Sequence, residues 1–260
     1  GKDPVSAVAA LLDGARTAHL KEGNPDAARE LYQAVLNREP LNHEANAALE
    51  DMLASKGGAE DLATLHEKRA DAKHAQLDLS SAAKEYFEAA KLRLGLNQRD
   101  RGGELVDRTL LAVPTHTEAL ELKAQLALES QNYAEAAAAF AVRVQQGGDP
   151  KTLARLHLKL GALYHDHLSD MNRAAAHLQA ALSGEPGSIE ALERLANIHA
   201  HTRNWTGAAD CIRRLLELDN TREERARHTL QLARISDEGF GDVAQAITHY
   251  RKAMELVPGD

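Results

Sequence analysis

The 260-residue chain holds one cysteine, one tryptophan, three phenylalanines, three methionines and seven prolines. A single Cys211 allows no internal disulfide, which fits a reducing compartment. Cys211 lies inside an apolar-periodic run and reads as a structural thiol, with no neighbour that would activate it. No apolar run approaches the roughly 18 residues needed to span a membrane. The glycine pairs at 57–58, 102–103 and 147–148 lack a following Lys-Ser or Lys-Thr and have no strand before them. They are turn glycines, not phosphate loops. Net charge is −8 with both signs interspersed, which argues against general binding to nucleic acid or anionic membrane. No nucleophile–base pair, acid–base pair or cofactor motif is present, so the chain is not expected to be an enzyme or to hold a cofactor or metal.

What remains is small apolar side chains at helical spacing. Aromatic residues make up 3% of a chain that is 43% hydrophobic, the composition of an alanine-rich helical stack. The run GSIEALERLANIHAHTRNWTGAADCIRRLLELDN, starting at Gly187, reads as two amphipathic helices around a polar turn, His201-Thr202-Arg203-Asn204. One stripe is Ala191, Leu192, Leu195, Ala196 and His199; the other is Trp205, Ala208, Ala209, Ile212, Leu215 and Leu216. Ala196 and Ala208 allow close approach at the crossing, with Trp205 filling the space beside it. A hairpin of this size cannot bury both sides of itself and needs neighbours.

Copies are present. Pro40, Pro114, Pro186 and Pro258, spaced by 74, 72 and 72 residues, each close an apolar helical run, since proline cannot continue a helix. Half that spacing, about 36 residues, is the period of a helix-turn-helix repeat. In Thr115 to Pro150, the residues Ala119, Leu120, Ala124, Tyr133, Ala136 and Phe140 stand where Ala191, Leu192, Ala196, Trp205, Ala208 and Ile212 stand later.

The pattern resembles the tetratricopeptide repeat. The matching residues are Leu160, Gly161, Tyr164, Ala174, Leu178, Ala181 and Pro186 in one copy. In the last they are Leu232, Ala233, Ala246, Tyr250, Ala253 and Pro258, and in the first Ala28, Tyr32, Val35 and Pro40. The resemblance implies an all-α fold: a single right-handed solenoid of seven repeats and 14 helices. The repeats span 5–40, 41–76, 77–114, 115–150, 151–186, 187–221 and 222–258. Copies two and three depart most, with Glu50, Leu62 and Thr109 at positions for small residues and a blurred boundary from Asp71 to Leu79. Copies five and seven carry an extra residue before their second helix, in HDHLSDMNRA and DEGFGDVAQA.

The resemblance also implies a function: binding a partner peptide or helix along a concave wall lined by the first helix of each repeat. Carried over residue by residue, the wall is Glu118, Glu121, Gln125 and Glu129; Arg155, Lys159 and His165; Glu190, Glu193, Asn197 and His201; Arg227, Gln231 and Arg234. Even copies are acidic, continued by Glu44 and Asp51, and odd ones basic, with Arg93. Neighbouring rows either pair across repeat boundaries or fix a partner's register. Family members that grip chaperone C-terminal carboxylates use a Lys-x3-Asn pair. Glu193-x3-Asn197 and Glu121-x3-Gln125 put an acid in the lysine's place, so that ligand is not expected. The pairs His165/His167 and His199/His201 point about 200° apart on a helix and chelate nothing alone. His199 and Trp205 are expected to pack.

The expected role is a protein–protein interaction scaffold or adaptor. Alternatives are a regulatory or substrate-recruiting arm of a larger enzyme, and self-association through the last helix, where Ile247 and Met254 would face a neighbour. The chain opens with Gly1 and stops two residues after Pro258, and so reads as a segment of a longer protein. Its alanine and arginine content is that of a GC-rich bacterial source. A cytoplasmic address is expected, with the periplasm left open.

Overall fold

The computed structural model describes residues 4–21, 23–55, 58–218 and 221–257. Pro258 and Gly57 lie outside them. Among the described residues there are fourteen α-helices and no strand. The chain divides into two compact units, Gly1–Leu126 and Ala127–Asp260. The all-α expectation holds, and each unit is built from helical hairpins.

One turn chemistry makes most of these hairpins. A residue with φ near +60° is followed by a residue that opens the next helix: Gly23, Asn97, Gln131, Ser169, Arg203 and Gly241 precede Asn24, Gln98, Asn132, Asp170, Asn204 and Asp242. Asn24, Asn132, Asp170, Asn204 and Asp242 each accept a hydrogen bond from the backbone N–H three residues on. That satisfies a donor that the first turn of a helix otherwise leaves open.

In the first unit the helices are α1 (Pro4–Arg16), α2 (Pro25–Leu36), α3 (His43–Ser55), α4 (Ala59–Ala75), α5 (Leu79–Gly95) and α6 (Arg99–Ala112). The blurred stretch Asp71–Leu79 has a structural cause. Leu77, at φ +62°, and the cap Asp78 close α4 onto α5 with the same turn that elsewhere lies inside a repeat. Asn97 then closes α5 onto α6 in the same way, so α5 has a tight hairpin partner on both sides. The misfit residues are accommodated individually. Thr109, fully buried, donates its hydroxyl to Leu105 O at 2.8 Å, Glu50 accepts from Arg69 at 2.8 Å, and Leu62 packs on the cluster around Leu49 and Leu65.

Helix α7 (Thr117–Glu129) crosses the division at residue 126. The second unit continues with α8 (Tyr133–Gln145), α9 (Pro150–Asp166), α10 (Met171–Gly184), α11 (Ile189–His201), α12 (Trp205–Leu218), α13 (Arg222–Arg234) and α14 (Val243–Leu256). Its core joins Ala174, Leu178, Ala191, Leu192, Leu195, Ala196, Ala208, Ile212, Leu215, Leu232 and Ile235. Small residues set the crossings, as at Gly161, where a Cβ would lie 2.7 Å from Leu178 Cγ. The extra residue of copy seven is absorbed as a π-helical turn, Ile235–Gly239, at the end of α13. Such bulges widen a helix locally and recur at functional sites.

Candidate functional site

A pocket of about 360 Å³ opens between α11, α12, α13 and the π turn. Its apolar lining is Ala196, Ala200, Trp205, Ile212 and Ile235; Asn197, His201, Gln231, Arg234 and Glu238 supply the polar groups. Four of the residues carried over from the repeat pattern, Asn197, His201, Gln231 and Arg234, therefore line one cavity.

Local sequence explains the shape. α11 offers Ala196 and Ala200, one turn apart, so its wall is cut back where the cavity lies. The π turn places Ile235 and Glu238 against the other side. Trp205 opens α12 behind the cap Asn204 and packs on the core. The π turn holds its indole: a Cβ on Gly239 would sit 2.6 Å from Trp205 Cγ. Packing and exposure to the cavity thus coexist at Trp205. His199, expected to pack, lies against Gly207, where a Cβ would come within 2.8 Å of its ring. Its Nδ1 accepts from Asn204 Nδ2 at 3.2 Å, and burial pushes its pKa down.

The remaining wall residues fall into two groups. Some pair across repeat boundaries. Arg227 Nη2 donates to Glu193 Oε1 at 2.6 Å, and Arg16 pairs with Glu44 at 2.5 Å. Glu190 takes Arg194 Nε at 3.0 Å, while Arg194 Nη1 reaches Asp166 at 2.6 Å. Asp166 also meets His165 Nδ1 at 2.6 Å. Burial would raise the Asp166 pKa, but the hydrogen bonds from His165 and Arg194 bring it below the usual carboxylate range. Others engage groups nearby: Lys159 Nζ stands 5.1 Å from the Phe140 ring centre, and Arg155 reaches Thr152 at 3.4 Å. Glu118 lies 3.3 Å from His116, and Glu118, Glu121, Gln125 and Glu129 are all exposed along α7.

The histidine pairs are divided between different partners. His167 stacks on Tyr133 with ring centres 3.7 Å apart, and His201 faces Asn197 O at 3.3 Å. No group of three or more His, Cys, Asp or Glu side chains able to hold a metal occurs among the described residues. Cys211 is buried, and burial pushes its thiol pKa up. No helix of the described residues is long and apolar enough to cross a membrane.

The repeat pattern did not predict that Ala200, Ile212, Ile235 and Glu238 share the cavity. The available signal was the extra residue in DEGFGDVAQA, which becomes the π turn.

A family model described as a tetratricopeptide repeat matches residues 87–150 and 153–223, stretches of 64 and 71 residues that make just over half of the 260. Among solved structures, YrrB, a TPR protein with an unusual peptide-binding site, is 19% identical with a TM-score of 0.51, over 68% of this chain and 87% of its own. The structure of Pseudomonas aeruginosa pilF is 16% identical with a TM-score of 0.44, over 99% of this chain and 95% of its own. No curated protein matches the chain.

Proposed function

The chain belongs to the tetratricopeptide repeat family, and from that premise we propose that it is an interaction scaffold holding a partner's peptide or helix on the first-helix face of its repeats. The carrying observation is the pocket beside Trp205, where Asn197, His201, Gln231 and Arg234 surround an apolar floor large enough for one bulky side chain. A buried anchor ringed by polar contacts is how interfaces concentrate binding energy. The exposed charges along α7, α9, α11 and α13 then set the register of the bound segment.

Selection from a displayed peptide library tests this. Selected peptides should bind the unmodified protein and lose about tenfold or more in affinity with Ala200→Trp, which fills the pocket, a loss of the size seen at buried anchors. Glu193→Arg and Glu121→Arg should weaken binding less, with little change in thermal stability. A selection that yields no binder, or binders indifferent to all three changes, sinks the reading.

A second reading, self-association through α14, rests on the exposure of Val243, Ile247 and Met254 at 57%, 45% and 65%. Light scattering across a concentration range, with and without Ile247→Glu and Met254→Glu, decides it: a mass independent of concentration rules it out.

A further inference from the structure

The hairpin of α9 and α10 brings together two histidines that partner binding leaves unused. His157, on α9, and His177, on α10, lie 20 residues apart and meet Nδ1 to Nδ1 at 3.0 Å. Both rings are half-buried. Tyr164, its ring centre 5.6 Å from that of His177 and within 4° of parallel, steadies one imidazole. Burial lowers the pKa of both histidines, which favours the neutral form that ligates metals. In the neutral pair one ring donates Nδ1–H and the other accepts. Moving that proton to the donor's own Nε2 leaves two Nδ1 lone pairs in the gap between the helices, with no change in charge. Neither Nε2 has a protein partner or is fully buried among the described residues, so water can take the relocated N–H.

The spacing selects the ion. With metal–nitrogen bonds of about 2.0–2.1 Å, nitrogens 3.0 Å apart subtend roughly 94° at the metal. A tetrahedral ion would need them roughly 3.3 Å apart, whereas square-planar and octahedral ions take them as they stand. Imidazoles at such angles suit Cu(II) and Ni(II), and Cu(II) binds most tightly of the first-row divalent ions. Arg173, the cation that acts on His177, is engaged by Asp170 at 3.3 Å and lies over the Tyr164 ring. We propose that His157 and His177 form a two-histidine site for a tetragonal transition-metal ion, Cu(II) before Ni(II), with water in the remaining positions. The ion would clamp α9 to α10, independently of any partner held beside Trp205.

The test titrates the intact protein with CuCl2, NiCl2 and ZnCl2 in a non-coordinating buffer near neutral pH. Copper should bind saturably, raise the melting temperature and give an axial paramagnetic resonance spectrum with nitrogen splitting. His157→Phe and His177→Phe should each weaken copper binding about tenfold or more, because a single imidazole loses the second bond. Should His177→Phe fail to melt cooperatively, His177→Gln, which keeps a polar tip beside His157, takes its place. His165→Gln and His201→Gln should leave the affinity unchanged. No saturable binding, or binding that survives the loss of either His157 or His177, overturns the site. Zinc bound more tightly than copper overturns the tetragonal assignment and the proposal with it.

Discussion

The helices α4 to α6 and the helices α9 to α13 solve the same packing problem with different chemistry. In the first group charged groups are buried at the crossings. Glu85, with 11% of its side chain exposed, takes His66 Nδ1 at 2.7 Å and Lys73 Nζ at 2.6 Å, with Arg69 at 3.5 Å. Glu67, 10% exposed, is gripped by Arg93 at 2.8 Å and by Arg101, and Tyr86 donates to Asp71 at 2.7 Å. In the second group the crossings are mostly alanine, glycine and leucine, and a half-buried pair on α9 and α10, His157 and His177, meets Nδ1 to Nδ1 at 3.0 Å. Charged networks demand full pairing and fix one geometry. The second group relies chiefly on apolar packing at its crossings and accommodates a bulge and a cavity. That difference explains why the candidate anchor lies among α11 to α13.

The largest effect expected from breaking this contrast comes from Glu85→Ala. It would leave Lys73 without its counter-charge and His66 without its acceptor, while Arg69 keeps Glu50, and cost about 3–5 kcal/mol in chemical denaturation. Replacing Glu85, Lys73 and Arg69 together by Leu, Met and Met should cost far less, because the desolvated charges go together. If the triple variant is as unstable as the single one, the network is not what holds α4 to α5.

Gly239→Ala probes the apolar group. Its Cβ would collide with the base of the Trp205 indole, so a loss of about 1–3 kcal/mol is expected from overpacking. A shift in Trp205 emission should accompany it. Gly241→Ala, at φ +66° with open space around it, should leave that emission where it was.

Acidification should separate the groups by order of loss. Burial lowers the pKa of His157, and burial together with His157 and Arg173 lowers that of His177. The unfolded chain therefore binds protons first, and α9–α10 should begin to lose stability as pH falls through the usual histidine value of 6.5. For Glu85, burial alone would raise the pKa, but hydrogen bonds from His66 and Lys73 and the charges of Arg69 and Lys73 outweigh it and hold the carboxyl at about 2. Its contribution is complete above the unfolded value of 4.5 and disappears from there down to about 2. Hydrogen exchange against pH should show α9–α10 losing protection first. The reverse order would refute the assignment of these groups.

The smallest effect belongs to the exposed pair of Arg227 and Glu193. Arg227→Ala should change stability by about 0–1 kcal/mol, with any larger consequence confined to partner binding.

Much of the fold was legible in the sequence because repetition and helical period are local properties. Ala174, Leu178 and Ala181, or Ala191, Leu192 and Ala196, can occupy a buried stripe only on a helix of 3.6 residues per turn. Pro40, Pro114 and Pro186 end such runs for steric reasons that need no neighbour. The charge alternation was equally visible, but that Glu193 pairs with Arg227 came only from the structure. The double hairpin around α5 was not: Leu77 holds a left-handed turn conformation that no glycine or asparagine announces.

By itself the sequence determined the helices, their period, the small residues at their crossings and the family to which they belong. Those follow from backbone sterics and from which side chains avoid water. Tertiary structure alone decided that one extra residue becomes a π turn, that the turn pins Trp205, and that Gln231 lines a cavity beside it. Each of these depends on distances between helices, which side-chain volumes set jointly.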